Sequence, residues 1–491
     1  MGDQEILKTV EEYEKALEAM RPNIVRDRLL EQPYEDRDIQ NGRNVVAKTY
    51  ERAHDPETKD IMTARSPLTG KMINRYNHVP ETREDLTKKL QMINTLAKEV
   101  GCVQRCVGSD GLHALYVGTH QLDKANKGET NYHQRLLDYL RYIQENDIAP
   151  AGAITDAKGD RSLPPHLQAE KDSYVHVVKE TDEGIYVSGI KTPITMSLYA
   201  EEIIVLPGLQ FGEKDKDCAV AFAVPGDAEG LERYMLGPEI TAIDYDFAPT
   251  YGKNYLNKEG LLYFDNVFVP HERVFLNGEH KYAAIYANLF ATLHRFAYTA
   301  CKPAIFDLLT GSAMLVSEYN GTKGEYFLSN TNEKIFEIYK GSILVSGMAK
   351  AAVVAAKETD SGAILPDAVY ANMGKYISSE MLQHAIGILQ DMAGSLPVNL
   401  PYNELLADEE YGPKISKLLT RKEGISPEEQ YRLNELVRIA AGSAISGLLQ
   451  VGSKHGGGNK EAEKVAIFAN SLRRMLECKK QAKGMMASDK D

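Results

Sequence analysis

The chain has 491 residues, of which 43% are hydrophobic and 26% charged, a balance that excludes a disordered polymer and fills a large core over two to four packed units. A net charge of −13 argues against a nucleic-acid partner held by phosphate neutralisation, while a small anionic substrate needs only a local basic pocket. No apolar run of about 18 residues predicts a membrane span, the first twenty residues lack the apolar core of a secretory signal, and five cysteines are too scattered for a disulfide framework, so the expected location is a reducing cytoplasm.

Residues 1–150 read as a helical block. EILKTVEEYEKALEAM carries a 3.6-residue apolar period, and REDLTKKLQMINTLAKEVGCVQRCV continues it over a longer span. A helix across that second segment puts Cys102 and Cys106, four residues apart, on one face. NYHQRLLDYLRYIQEND predicts a third helix with Asn131 as its N-cap. Pro and Gly then interrupt the period in IAPAGAITDAKGDRSLPP, which reads as a loop.

Residues 151–275 read as a β domain. SYVHVVKE, GIYVSGIK, EEIIVLPG, CAVAFAVPG and LLYFDNVFVP are short, rich in β-branched or aromatic residues, and bounded by Gly, Pro or charge. Cys218 opens one of these apolar strands and belongs to its packing. From 276 to 491 helices return. The first, through ANLFATLHRFAYTACKPAIFDLLTGSAMLV, is apolar on most sides and should be buried. Pro303 should kink it. SPEEQYRLNELVRIAAGSAISGLLQVG predicts one later helix, and Cys478 lies in the last, charged one, where exposure is expected. The fold class is therefore α+β: helical block, β block, helical block.

His294, Tyr298 and Cys301, at i, i+4 and i+7, share a helix face with Lys302 beside them. Together with Cys102 and Cys106 they give three thiols and one imidazole, soft donors that suit iron–sulfur or zinc. Cysteines four apart on an apolar face are also ordinary core residues, so spacing alone leaves both readings open.

The domain order, with LYFDNVFVPHERVF leading out of the β block and LQDMAGS in the last one, resembles the acyl-CoA dehydrogenase fold. CVQRCVGSD, TNYHQRLLDYLRYIQEND, AITDAKGDRS, FDNVFVP and HRFAYTACK narrow the match. They are similar to the 4-hydroxybutyryl-CoA dehydratase branch of the 4-hydroxyphenylacetate 3-hydroxylase superfamily, and the similarity runs over essentially the whole chain. It implies FAD and a 4Fe–4S cluster, with Cys102, Cys106, His294 and Cys301 as the cluster ligands. Tyr298 and Lys302 then lie beside the substrate, with His294 and Glu259 catalytic. Thr195 and Gln104 match residues near the cofactors, Asp156, Lys158, Asp160 and Arg161 match a flavin-contacting loop, and Gly394 matches a flavin segment. Each also has a plainer reading: Gly394 as a helix C-cap, Thr195 as a loop hydrogen-bonder, the 156–161 run as a solvated turn. The implied activity is radical-type dehydration of a 4-hydroxyacyl-CoA with isomerisation of vinylacetyl-CoA, in a homotetramer. A phenolic monooxygenase that uses FAD without iron is the alternative within the superfamily, and a non-catalytic protein keeping the cluster as a structural or sensing element is another. One departure stands out. The family carries a glutamate three residues before a His-Gly pair, and here that position, ahead of His455-Gly456, is Gly452.

Overall fold

A computed structural model describes residues 5–237, 249–322 and 330–486. The N-terminal block contains the helices Val10–Glu18, Arg37–His54, Arg83–Val100, Cys106–Ala125 and Tyr132–Glu145. Capping boxes start two of them: Thr9 with Glu12, and Thr82 with Asp85, each pair satisfying two backbone N–H groups that the first turn leaves free. Asn131 takes the expected N-cap position, but its side chain makes no capping bond. The Asp123 carboxylate, at the end of the preceding helix, accepts from the N–H groups of Tyr132 and His133 instead, because a longer-range carboxylate complements the helix dipole better than a neutral amide.

The long helix read through Cys102 is a second correction. It ends at Val100, and a new helix begins at Cys106. Gly101 adopts φ +77° and Gln104 φ +58°, so the chain reverses direction between two stretches whose apolar periods happen to join. Cys102 lies in this turn and does not share a helix face with Cys106.

The β domain has two sheets. One runs Ile24–Val25, Leu231–Met235, Glu259–Pro270, Gly184–Thr195, His176–Glu180; the other runs Val274–Asn277, Val220–Pro225, Glu202–Val205, Pro150–Ala153. All five expected strands are present. Pro150–Ala153, inside the segment read as a loop, pairs in parallel with Glu202–Val205; four small residues carry too little pattern to announce a strand. Cys218 is buried and Cys478 exposed, as expected, but Cys218 ends the short 3-10 helix Glu213–Cys218, two residues before the strand Val220–Pro225 that it was expected to open.

His280–Tyr319 is one 40-residue helix that runs through Pro303. It packs against Arg83–Val100 and Cys106–Ala125 on one side and against Asn330–Val354 and Ala368–Ala393 on the other. The single helix expected over 426–452 is two, Pro427–Ala441 and Ala444–His455, broken at Gly442 and Ser443, where Ser443 caps the second. One apolar core joins the N-terminal helices, both sheets and the first half of the long helix, with Cys106, Leu293 and Cys301 inside it. A second, around Phe306, Leu309, Leu382, Leu389 and Val437, holds the C-terminal helices together. The architecture is that of the acyl-CoA dehydrogenase-like fold. No single described helix is long and apolar enough to cross a membrane.

Candidate active site

The turn between the two N-terminal helices is held from three directions. A Cβ on Gly101 would meet the Tyr251 ring at 2.6 Å. The Cys102 carbonyl accepts from Asn257 Nδ2 at 3.0 Å. Gln104 Oε1 accepts the Tyr199 hydroxyl at 2.5 Å. Beneath the turn the fully buried Arg105 reaches Asp147 at 3.0 Å and lies over the rings of Tyr50 and Tyr76. A buried guanidinium with a carboxylate partner and two aromatic faces fixes a backbone more tightly than apolar packing alone.

Across from this turn the long helix presents His294, Tyr298, Cys301 and Lys302, all buried. Ligand atoms of Cys106, Asp110 and His294 lie within 4.8 Å of one another. Asp110 is one turn beyond Cys106, and its Oδ2 lies 3.1 Å from His294 Nδ1. Burial pushes the Cys106 thiol well above the ordinary range, and the charges of Asp110, Cys102 and Cys301 add to it. Burial also raises the Cys301 thiol to about 11, with Lys302 opposing and Cys102 reinforcing. Two buried thiols whose ionisation is opposed by burial and by neighbouring sulfur form donors that a cation would stabilise as thiolates. The group that geometry brings together is Cys106, Asp110 and His294; Cys102 and Cys301 are not in it but lie near enough for their charges to bear on the Cys106 thiol, and donors of this chemistry suit a sulfur-rich metal centre.

Lys302 and Tyr298 form the wall beside these donors. The ammonium lies 4.2 Å from the Tyr298 ring centroid. Burial works against the lysine's charge, but nearby Cys301 and Tyr298 outweigh it and raise its pKa. Burial raises the Tyr298 phenol, which stays protonated, and Lys302 offsets part of that rise. The Tyr298 hydroxyl donates to the Gly452 carbonyl. The His-Gly-Gly-Gly turn covers this end. Gly457 has φ +74°, and a Cβ there would lie 3.3 Å from the His294 ring; Arg295 Nε ties its carbonyl down at 2.7 Å.

Glu259 and Thr195 sit directly opposite each other in the antiparallel register of their strands. Thr195 Oγ1 donates to the carboxylate at 2.8 Å. Burial raises the Glu259 pKa, and only this hydrogen bond pulls the other way. Tyr199 bridges the strand pair to the cysteine turn, donating to the Lys258 carbonyl at 3.3 Å as well as to Gln104.

The other expected cofactor residues lie apart. Asp156 is buried against Lys191 at 2.7 Å, and its Oδ2 has no hydrogen-bond partner among the described residues. Lys158, at φ +73°, is pushed down by burial and by the like charge of Arg161. Two cations crowding each other beside an unsatisfied buried oxygen fit an anionic group with hydrogen-bonding capacity, as the pyrophosphate and ribityl parts of a flavin nucleotide provide. Asp160 organises its own turn, accepting from the N–H and hydroxyl of Ser162. Gly394 is the C-cap of Ala368–Ala393, at φ +70°. No described hydrogen bond or ion pair joins Gly394 or the 156–161 loop to the cysteine cluster.

Four site residues escape sequence reasoning: Lys89, Asp110, Tyr251 and Lys375. Asp110 alone had a signal, its i+4 spacing from Cys106. Lys375 is fully buried and bonds Glu463 at 3.0 Å, with its ammonium 5.0 Å from the Tyr298 ring centroid. Glu461, the other carboxylate near Gly452 in sequence, instead points to the surface and pairs with Lys464.

The 4-hydroxyphenylacetate 3-hydroxylase N-terminal and C-terminal family profiles match residues 9–276 and 283–486. The chain is 33% identical over 483 residues to a 4-hydroxybutyryl-CoA dehydratase/vinylacetyl-CoA Δ-isomerase of Clostridium aminobutyricum, covering 94% of this chain and 96% of that one. Its structure is similar to that of an oxygen-tolerant archaeal 4-hydroxybutyryl-CoA dehydratase from N. maritimus, with a TM-score of 0.88, 28% identity, and coverage of 96% and 95%. The oxygenase component of a 4-hydroxyphenylacetate 3-monooxygenase, solved with FAD, shares the fold at TM-score 0.84 and 23% identity over 98% of this chain and all of that one.

Proposed function

Because the chain belongs to the 4-hydroxyphenylacetate 3-hydroxylase family, and its dehydratase relative aligns along nearly its full length, we propose that it is a dehydratase and isomerase acting on a 4-hydroxyacyl-CoA. The substrate class is 4-hydroxybutyryl-CoA or a close analogue, converted by net loss of water to crotonyl-CoA, with vinylacetyl-CoA isomerised at the same site. The observation that carries this reading is the meeting of Cys106 and His294, from segments far apart in sequence, with Cys102 and Cys301 near enough for their charges to raise the Cys106 thiol. A phenolic hydroxylation site has no use for that donor set.

The cofactors in this reading are FAD, held in part by Asp156, Lys158, Arg161 and Thr195, and a 4Fe–4S cluster held by Cys102, Cys106, Cys301 and His294. When bound, the flavin supplies reversible one-electron chemistry and the cluster a Lewis-acidic iron. The chain's own groups handle protons. Glu259, its carboxyl raised by burial, accepts and returns a proton as a stronger base than a carboxylate of ordinary pKa. Tyr298, kept protonated by burial and flanked by the Lys302 ammonium, turns its one O–H from the Gly452 carbonyl to donate to the leaving hydroxyl. His294 holds its ring between Phe290 and Tyr298, so the nitrogen it offers to a metal points along a fixed direction. The Gly456–Gly458 turn lies against Tyr298, His294 and Arg295 with no side chain of its own, which keeps water from their far side. Gly452 offers a carbonyl and no carboxylate. Allylic proton shuttling needs fewer bases than dehydration, so the isomerase activity is the one least affected by that glycine.

The homotetramer belongs to this reading too. Val465, Phe468, Leu472, Met475 and Leu476 form an exposed stripe along Lys460–Met486, of the kind subunits bury on association.

Anaerobic purification with iron, sulfide and FAD measured per chain, followed by assays on 4-hydroxybutyryl-CoA and vinylacetyl-CoA, tests the proposal. Iron, sulfide and both activities are expected. An iron-free flavoprotein that hydroxylates a phenol would sink it. A His294→Ala variant is expected to lose iron and activity together; one that kept both would remove His294 from its assigned role.

A further inference from the structure

The helices Arg83–Val100, Cys106–Ala125 and His280–Tyr319 meet along one buried line of polar groups: Lys89, Asp110 and His294. Asp110 is fully buried. Its Oδ1 takes the Lys89 ammonium at 2.7 Å, and its Oδ2 faces His294 Nδ1 at 3.1 Å. Lys89 is itself 2% exposed and adds a longer contact to Ser109 Oγ at 3.4 Å. A carboxylate held ionised by an adjacent ammonium can only accept hydrogen bonds, so the ring nitrogen facing it carries the hydrogen. The neutral imidazole then has its lone pair on Nε2. Phe290 stacks on the same ring at a centroid distance of 5.4 Å, and Tyr298 meets its edge at 5.9 Å, so the ring plane is fixed as well as its tautomer.

We propose that Asp110, anchored by Lys89, is the positioning residue for His294: it holds the Nδ1–H tautomer and leaves Nε2 as the metal-facing nitrogen. The metal half of this inference rests on the cluster proposed above. Asp110 lies within ligand distance of the same group as Cys106 and His294, yet both its oxygens are already committed. Ligation through either would leave the Lys89 ammonium without its buried counter-charge or the His294 N–H without its acceptor, and buried groups are seldom left so. One helix thus supplies a sulfur donor at Cys106 and, a turn later, the group that aims the nitrogen donor on another helix. Outer carboxylates that hold a ligating histidine in this way raise its basicity and fix its orientation.

The inference is tested first on the metal-free full-length chain, labelled with 15N-histidine, with the His294 signals assigned by their loss in His294→Asn. The wild type is expected to show the Nδ1–H tautomer. In Asp110→Asn the Lys89 ammonium claims the new amide oxygen, turns the NH2 toward His294 and drives the ring to Nε2–H. The double variant Lys89→Met/Asp110→Asn has no ammonium to orient the amide, and recovers the wild-type tautomer; it also covers the case in which the single variant fails to fold around an unpaired lysine. After anaerobic reconstitution, Asp110→Asn is expected to release iron to a chelator roughly 10- to 100-fold faster than wild type, with weakened nitrogen hyperfine coupling in pulsed EPR of the reduced centre. An Nε2–H tautomer in the wild type overturns the inference, as does Asp110→Asn with unchanged tautomer and chelation rate. A wild-type chain that shows the Nδ1–H tautomer but takes up no iron overturns the cluster reading and leaves Asp110's hold on the ring standing.

Discussion

Glu259 and Thr195 show how much of the chemistry rests on one hydrogen bond. Burial raises the carboxyl and the threonine hydroxyl lowers it, so Thr195→Val removes the stabilising side of the balance. The Glu259 pKa then rises further, and the acid limb of the kcat–pH profile moves to higher pH, because the base must lose its proton before it can act. An unchanged acid limb would assign that limb to another group. Cysteine identities are tested more directly. Cys301→Ser is expected to lower iron and sulfide per chain, whereas Cys218→Ser, buried at the end of Glu213–Cys218, should leave both unchanged while lowering stability.

At the scale of elements, the cysteine turn and the C-terminal ion pair lend themselves to stability measurements. Gly101→Ala places a Cβ at φ +77° against the Tyr251 ring, and should cost roughly 1–3 kcal/mol in denaturant unfolding. Lys375→Met leaves Glu463 buried without its partner and should cost roughly 3–5 kcal/mol, while Lys375→Met/Glu463→Leu, which removes both charges, should cost less. The same elements show what can be read before a fold is known. The long helix through His294 was legible because forty residues of apolar period tolerate a proline. The break at Gly101 was not, since the periods on either side join in phase and only the Tyr251 ring, from a distant segment, forces the turn. The four soft donors were legible as residue types. Lys89 was not, and Asp110 was marked only by its spacing from Cys106, because an aspartate and a lysine acquire meaning when three helices bring them to an imidazole.

For the whole molecule, the exposed stripe on Lys460–Met486 sets the prediction. Phe468→Glu/Leu472→Glu should lower the mass measured by light scattering, without loss of helical content, if that face is an interface between copies. An unchanged mass would place the interface elsewhere. The N-terminal segment also ties the parts together. Ile24–Val25 adds an edge strand to the central sheet, and Tyr13 donates to the Tyr199 carbonyl, so the first helices clamp the β domain from outside. The three-block order was visible in the periodicities, but this clamp was not: a two-residue strand has too little pattern to be seen.

The wide separation of the donors along the chain also has a temporal side. Asp110 and His294 are 184 residues apart, which at ordinary translation speeds puts roughly 10–40 s between their emergence from the ribosome. Throughout that interval Cys102 and Cys106 exist without the helix that will close over them. On the proposed cluster reading the thiols must stay reduced through that interval, and metal insertion waits until the long helix has emerged, in the last third of synthesis. Maturation is then a late event, and its vulnerable period comes before folding is complete.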